Sequence, residues 1–344
     1  MVDLGALPLV FTRSGALSVG LRRARFERLV SNGELVVVSP GHFADAVRWA
    51  TSDASERHLA LATAACTAFG QSALSHVSAA LWWGLPVPRV VPPEPALTVH
   101  RTTRPSDDSD WVRVLRCELP ERHVLTVGTV RVTSPARTVV DCFRSLPLAD
   151  ALAIADAAVG RGLTPGELVE VRKEQARWPG IRSARRGIGL VDGRRESWLE
   201  SASVAGLDGW GLPHPSPQVE VRDELGDLIG RVDLFWRGLR VVGEADGKGK
   251  FRGEFDRDTS ERAVADRLIS AEVRAGRLRE TGVGVVRWGT GDLRRPEVLA
   301  ARIRRAAPSG PLRATFRCGP CQQDLDHCHC APRLCLSDRA RDAA

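Results

Sequence analysis

Two short runs separated by Arg237-Gly238 constrain this chain more than any other feature. GRVDLFW (230–236) and LRVVGEAD (239–246) are rich in β-branched and aromatic residues, and acids recur in them at two-residue spacing. A two-residue loop at Arg237-Gly238 predicts a hairpin in which Trp236 opposes Leu239, Leu234 opposes Val241 and Val232 opposes Gly243. One face is then apolar, carrying Val232, Leu234, Trp236, Leu239, Val241 and Ala245. The other carries Asp233, Val242, Glu244 and Asp246, with Asp233 the diagonal neighbour of Glu244. A loop one residue longer would turn one strand over and scatter the carboxylates.

Carboxylates gathered on one face repel one another unless a cation neutralises them or a pKa rises. Oxygen ligands without Cys or His select a hard ion, Mg²⁺ or Mn²⁺. Such an ion, keeping some of its waters, suits phosphodiester hydrolysis. A nearby lysine would orient water or offset phosphate charge. Of the 49 Lys and Arg residues only Lys173, Lys248 and Lys250 are lysines, and two of these sit in DGKGK (246–250). In so arginine-rich a chain, Lys248 suggests a place where a compact ammonium is wanted rather than a planar guanidinium.

The flanking segments give this hairpin its context. RESWLESASVAGLDGWGLP (195–213) reads as a helix stopped by glycines, with Glu196 and Glu200 one turn apart. PSPQVEVRD (215–223) reads as a strand. DTSERAVADRLISAEVRAGRLRETG (258–282) reads as a long helix with Val264, Leu268, Ala271, Ala275 and Leu278 as its buried stripe, closed by Gly282. VGVVRW (283–288) supplies another strand. The predicted order is α-β-β-β-α-β.

That order, with Glu200-Ser201, GLPHPSPQ (211–218), RVDLFW (231–236), VGEADGKGKF (242–251) and VVRW (285–288), resembles the PD-(D/E)XK nuclease superfamily. It is most similar there to bacterial domains related to very-short-patch-repair (Vsr-like) endonucleases. The resemblance implies that Glu200, Asp233 and Glu244 hold the metal. It also implies a lysine where this chain has Asp246. Either Asp246 fills that role, or the set shifts to Asp246-Gly247-Lys248. Glu244 and Asp246 are favoured as the strand pair, with Lys248 just beyond. The alternative is that these acids are a solvated sheet end in a fold that does not cut.

The N-terminal stretch TRSGALSVGLRRARFERLVSNGELVVVSPGHF (12–43) reads as helix, turn, helix and β-wing, the order of a winged helix-turn-helix. Leu21, Arg25 and Leu29 with Phe26 and Val30 define a stripe, and Asn32-Gly33 ends the second helix. Arg22, Arg23, Arg25 and Arg28 would then meet DNA phosphates or bases. A solvated basic helix in an ordinary three-helix module is the plainer alternative. From about 56 to 185 helical and strand-like runs alternate as in an α+β domain. Ser75-His76 and Asp141 there read as caps or satisfied polar groups. VFTRSGALSVGLRRARFERLVSNGELVVVSPGHF (10–43), SHVSAALWWGLPVP (75–88) and VTSPARTVVDC (132–142) are similar to actinobacterial proteins related to AbiEi-type antitoxins of type IV toxin–antitoxin systems. That resemblance, over about residues 8 to 160, implies operator binding and leaves room for a cognate toxin.

Cys66, Cys117 and Cys142 stand in apolar surroundings and are expected in cores. The other five cysteines fall in RCGPCQQDLDHCHCAPRLC (317–335). Cys318 and Cys321 have the spacing of half a zinc site, but HCHC is too cramped for a standard ligand pair. The expectation is a disordered end with reduced thiols rather than a Zn²⁺ site.

The predicted fold class is thus α+β and multidomain. It comprises a winged helix-turn-helix (1–55), an α+β middle domain (56–185), a PD-(D/E)XK-like core (186–300) and a Cys-rich tail (301–344). The net charge of +7 suits a nucleic-acid partner. No run approaches the roughly 20 apolar residues of a membrane span, and no secretory signal is seen, so a cytoplasmic protein is expected. The leading expectation is a DNA-binding protein with a Mg²⁺- or Mn²⁺-dependent endonuclease-like domain. The alternative is a non-catalytic AbiEi-like regulator of its own promoter.

Overall fold

The computed structural model describes residues 4–87, 91–102, 110–246, 261–328 and 330, with backbone alone for 261–268. The chain is mixed α/β and divides into two compact units, Met1–Ser145 and Leu146–Ala344.

In the first unit, β1 (Phe11–Thr12) leads into α1 (Arg13–Ser18) and α2 (Arg23–Ser31), and then into the hairpin β2 (Leu35–Ser39) and β3 (His42–Asp45). Local chemistry sets these boundaries. The Thr12 side chain caps α1 by accepting the Gly15 N–H, and Gly33 ends α2 at φ +75°. Gly41, also at φ +75°, turns the hairpin. The strands pair in the order β1-β3-β2 over Phe11, Ala16, Leu21, Phe26, Leu29 and Leu35. Two further helices, α3 (Ala46–Thr51) and α4 (Ala54–Ala68), come next; an Asp53–Glu56 capping box starts the second.

The rest of this unit alternates. In order come β4 (Ala73–Leu74), α5 (His76–Trp82), β5 (Ala96–His100), β6 (Arg113–Cys117), β7 (Val124–Val127), β8 (Val130–Thr133) and α6 (Pro135–Ser145). The strands form a mixed sheet in the order β6-β5-β4-β8-β7. Its core gathers Leu74, Ala79, Leu97 and Val132 with Ala62, Ala65 and Cys66 of α4.

The second unit opens with α7 (Leu148–Gly160), α8 (Pro165–Glu174) and α9 (Ile181–Ile188), ahead of α10 (Trp198–Leu207). The sequence predicts a middle domain running to 185, but α7 and α8 pack into the second unit instead. The cause is a buried polar knot. Asp156 of α7 accepts hydrogen bonds from Arg195 Nε (2.6 Å), Arg195 Nη2 (2.8 Å), Ser201 Oγ (2.6 Å) and the Asp192 N–H (2.8 Å). Both charges are almost wholly buried, so neither α7 nor the segment before α10 can leave without stranding one of them.

The sheet of this unit is built from β9 (Ser216–Arg222), β10 (Leu228–Trp236), β11 (Val241–Ala245), β12 (Gly284–Trp288) and β13 (Thr315–Cys318). Helix α11 (Glu261–Glu280) precedes β12, and α12 (Pro296–Arg305) precedes β13. The sheet order is β12-β11-β10-β9-β13, with β11 and β12 parallel and the other pairs antiparallel. From α10 to β12 the order is the α-β-β-β-α-β expected. Ala275 and Leu278 of α11 are buried as its predicted stripe requires, and Ala271 is half-buried; the Val264 and Leu268 side chains lie outside the described residues.

Two expectations are corrected. The hairpin loop is not Arg237-Gly238. Trp236 pairs with Val241 and Leu234 with Gly243, leaving four loop residues. A two-residue loop needs positive φ at its centre. Here Arg237–Leu239 form a 3₁₀ turn and Arg240 takes the left-handed conformation, φ +55°. The Arg240 guanidinium holds that turn by donating to the Pro308 and Gly310 carbonyls, each at 2.7 Å. Leu239 accordingly leaves the core face and is half-buried. The second correction concerns the tail. Residues 301–328 are built into the unit: α12 ends there, and β13 adds an edge strand to β9, with Phe316 stacked on Phe235 (4.2 Å).

Candidate functional site

The four-residue loop is two residues longer than expected, so side-chain parity survives it. The paired register ends at Leu234–Gly243; continued by one residue it would set Asp233 across from Glu244 rather than diagonal to it. The Asp233 carboxylate accepts the Ala245 N–H at 2.7 Å, which ties it to the end of β11. Asp246 comes directly after that strand, its N–H bonded to the Trp288 carbonyl of β12 at 2.8 Å. Gly243 is required beneath this stretch, because a Cβ there would meet the rings of Trp288 and Trp236.

Glu200 arrives from the first turn of α10. Ser197 caps the helix, accepting the Glu200 N–H at 3.2 Å and donating its hydroxyl to Glu200 Oε1 at 2.7 Å. Glu200 Oε2 accepts the Glu196 N–H (3.1 Å) and Gln218 Nε2 (2.9 Å). Glu200 is therefore a capping residue as well as a neighbour of the strand acids. Burial pushes its pKa up, and the Asp233 charge adds to the push.

Glu244 is more perturbed than Glu200. It is 5% exposed. Burial raises its pKa to about 7, against the pull of Arg274 and with further push from Asp233 and Asp246. Arg274 of α11 donates to Glu244 Oε2 at 2.9 Å, while Oε1 is buried with no hydrogen-bond partner. Asp233 acts on both Glu200 and Glu244, and Asp246 acts on Glu244, so the four acids form one electrostatic neighbourhood. No three of them bring ligand atoms within 4.8 Å of one another: among the described residues, the set that does so is Cys318, Cys321, Cys328 and Cys330. Lys248 lies outside the described residues.

The donor set fits a hard cation in its chemistry. All of its ligand atoms are carboxylate oxygens, and one of them is buried and unpartnered. Three further residues shape the site without having been singled out from the sequence. Ser197 was legible, since Ser-x-x-Glu at 197–200 is a capping-box pattern. Gln218 lay within a quoted motif but gave no sign that its backbone would be left-handed, φ +54°. Arg274 gave no signal, being one arginine among many on a long helix.

In the first unit, Arg22 stands at the start of α2 and Arg23, Arg25 and Arg28 lie along it. Arg23 pairs with Glu27 at 3.0 Å, and Glu27 also takes Arg13. Among the described residues Arg22, Arg25 and Arg28 enter no ion pair; Arg22 and Arg28 are exposed and Arg25 half-buried. Ser75 and His76 are buried and bonded to each other at 2.9 Å. Asp141 is buried between Arg137 (2.7 Å) and Arg144 (2.8 Å).

No family model matches the sequence. Two uncharacterised proteins of Mycobacterium tuberculosis, Rv2248 of strain H37Rv and MT2308 of strain CDC 1551, are each 31% identical over 175 residues. Those residues are 50% of this chain and 60% of each relative, so the chain spans about three fifths of their length. The crystal structure of the RV2827C protein from the same organism aligns with a TM-score of 0.38 at 16% identity, over 54% of this chain and 73% of that one. Among the described residues no helix is long and apolar enough to cross a membrane.

Proposed function

We propose that this chain is a DNA-binding protein whose second unit is a metal-dependent, Vsr-like endonuclease domain of the PD-(D/E)XK type. The observation that carries this reading is Glu244, a buried carboxylate held near neutrality beside Asp233 and Asp246, with one oxygen unpartnered. The α-β-β-β-α-β order of 198–288 supports it. Asp233, Glu244 and Asp246 would hold Mg²⁺ or Mn²⁺, which when bound supplies activation of a water and stabilisation of the leaving phosphate oxygen. Ser197 and Gln218 fix the Glu200 carboxylate at the edge of this group. Arg274 anchors one Glu244 oxygen and leaves the other free for an ion. The winged helix-turn-helix reading of residues 11–45 gives the first unit the DNA contact, through Arg22, Arg25 and Arg28.

The test is conversion of supercoiled plasmid to nicked or linear forms by the full chain in Mg²⁺ and in Mn²⁺. Cutting is expected for the wild type and a loss of at least about 100-fold for Asp233→Asn and Glu244→Gln. Equal cutting by all three proteins would refute the assignment.

A second reading has its own support. Arg274 already pairs with Glu244, and Glu200 already accepts hydrogen bonds from Ser197, the Glu196 N–H and Gln218. These are the pairings of a site that no longer needs an ion. The chain would then be an AbiEi-like regulator that shifts its own upstream DNA in gels, with or without a toxin partner, and cuts nothing.

A further inference from the structure

We infer that Cys318, Cys321, Cys328 and Cys330 form a structural zinc site that clips β13 and the loop after it to the edge of the sheet. The four Sγ atoms all lie within 4.8 Å of one another, and those of Cys321 and Cys328 are 3.6 Å apart. A tetrahedral Zn²⁺ with Zn–S of about 2.3 Å spaces its sulfurs about 3.8 Å apart, so the quartet is close to a ligand shell. Four sulfur donors in this arrangement select zinc or iron over hard ions. The cramped HCHC run had argued against a site. The fold overcomes it by returning the chain on itself: Leu325 N–H bonds the Phe316 carbonyl, and Asp324 bridges Arg317.

Hydrogen-bond donors converge on the sulfurs. Cys318 Sγ accepts the Cys321 N–H, Cys321 Sγ accepts the Gln323 N–H, and Cys328 Sγ accepts the Cys330 N–H at 3.4 Å. Gln322 makes this geometry by taking φ +59°, which turns successive N–H groups inward. Arg194, held by Asp192, brings its guanidinium to 3.8 Å from Cys318 Sγ and 4.0 Å from Cys328 Sγ. A zinc ion with four thiolates carries a net charge of −2, which this arginine offsets. All four cysteines are free of disulfides.

The clip reaches the acids through two bonds. Gly319 N–H donates to the Gln218 carbonyl at 2.9 Å, and Gln218 Nε2 donates to Glu200. A Cβ at Gly319 would strike that carbonyl, so the loop sits directly on β9. Zinc would thus steady the residue that orients Glu200. The site is independent of whether the acids cut DNA.

The test is the metal content of the full chain purified under reducing conditions, and then exchange into Co²⁺. One zinc per chain is expected, together with the absorption bands of tetrahedral thiolate-bound Co²⁺. Cys321→Ser/Cys328→Ser should lose both signals, while Glu244→Gln keeps them. The wild-type readings decide the matter even if the double variant fails to fold. A chain that neither carries nor takes up zinc, one that carries iron instead, or a folded double variant that retains its zinc would overturn the proposal.

Discussion

Glu244 shows how one side chain can carry both a cost to the fold and a use for it. Burial and the neighbouring acids raise its pKa to about 7, so in the folded chain it holds a proton that an unfolded glutamate, near 4.5, would release. Between those values the native state binds the extra proton, and stability falls as pH rises. The favourable contribution is complete below the unfolded value and lost above the folded one. Glu244→Gln should therefore flatten the decline between about pH 4.5 and 7. It should leave the variant more stable than wild type at pH 8, by on the order of 2–3 kcal/mol. Denaturant titrations across that range read it out. Parallel curves for the two proteins would mean that the buried carboxylate is not the group that titrates.

At the scale of elements, the buried Asp156–Arg195 pair decides which helices belong together. Arg195→Ala would leave Asp156 in the core without its ion partner, at a cost of about 3–5 kcal/mol. An unfolding free energy lowered by less than about 1 kcal/mol in denaturant titration would show that the knot does not join α7 to α10. The elements themselves were largely legible, because periodicity and capping act locally. The apolar runs marked β5, β10, β11 and β12, and Asn32-Gly33 marked the end of α2. The loop of the central hairpin was not legible. It depends on Arg240 reaching carbonyls at 308 and 310, an interaction that no local window contains. The acids still came out as neighbours because a two-residue error preserves parity. β13 and the cysteine quartet were missed for the opposite reason: a polar segment without periodicity is ordered by pairing with a distant strand. Arg274 was invisible because a sequence does not say which of many arginines a helix turns inward.

As a whole molecule, the chain carries an arginine-bearing helix in one unit and an acidic neighbourhood in the other. If α2 meets DNA phosphates, replacing Arg22, Arg25 and Arg28 together by Ala should weaken binding to unrelated duplexes alike. It should also reduce the slope of log K against log salt by roughly 0.9 for each phosphate no longer neutralised. An unchanged slope would remove α2 from the interface. The functional reading rests above all on Asp233, Glu244 and Asp246 sharing one hard divalent ion. Mn²⁺ binding by the full chain, measured by electron paramagnetic resonance at pH 8, reads this out, since thiolates compete poorly for that ion. One Mn²⁺ per wild-type chain is predicted, with affinity reduced at least about tenfold in Asp233→Asn and in Glu244→Gln. A wild type that binds no Mn²⁺, or variants that bind it as tightly, would show that these carboxylates hold no common ion.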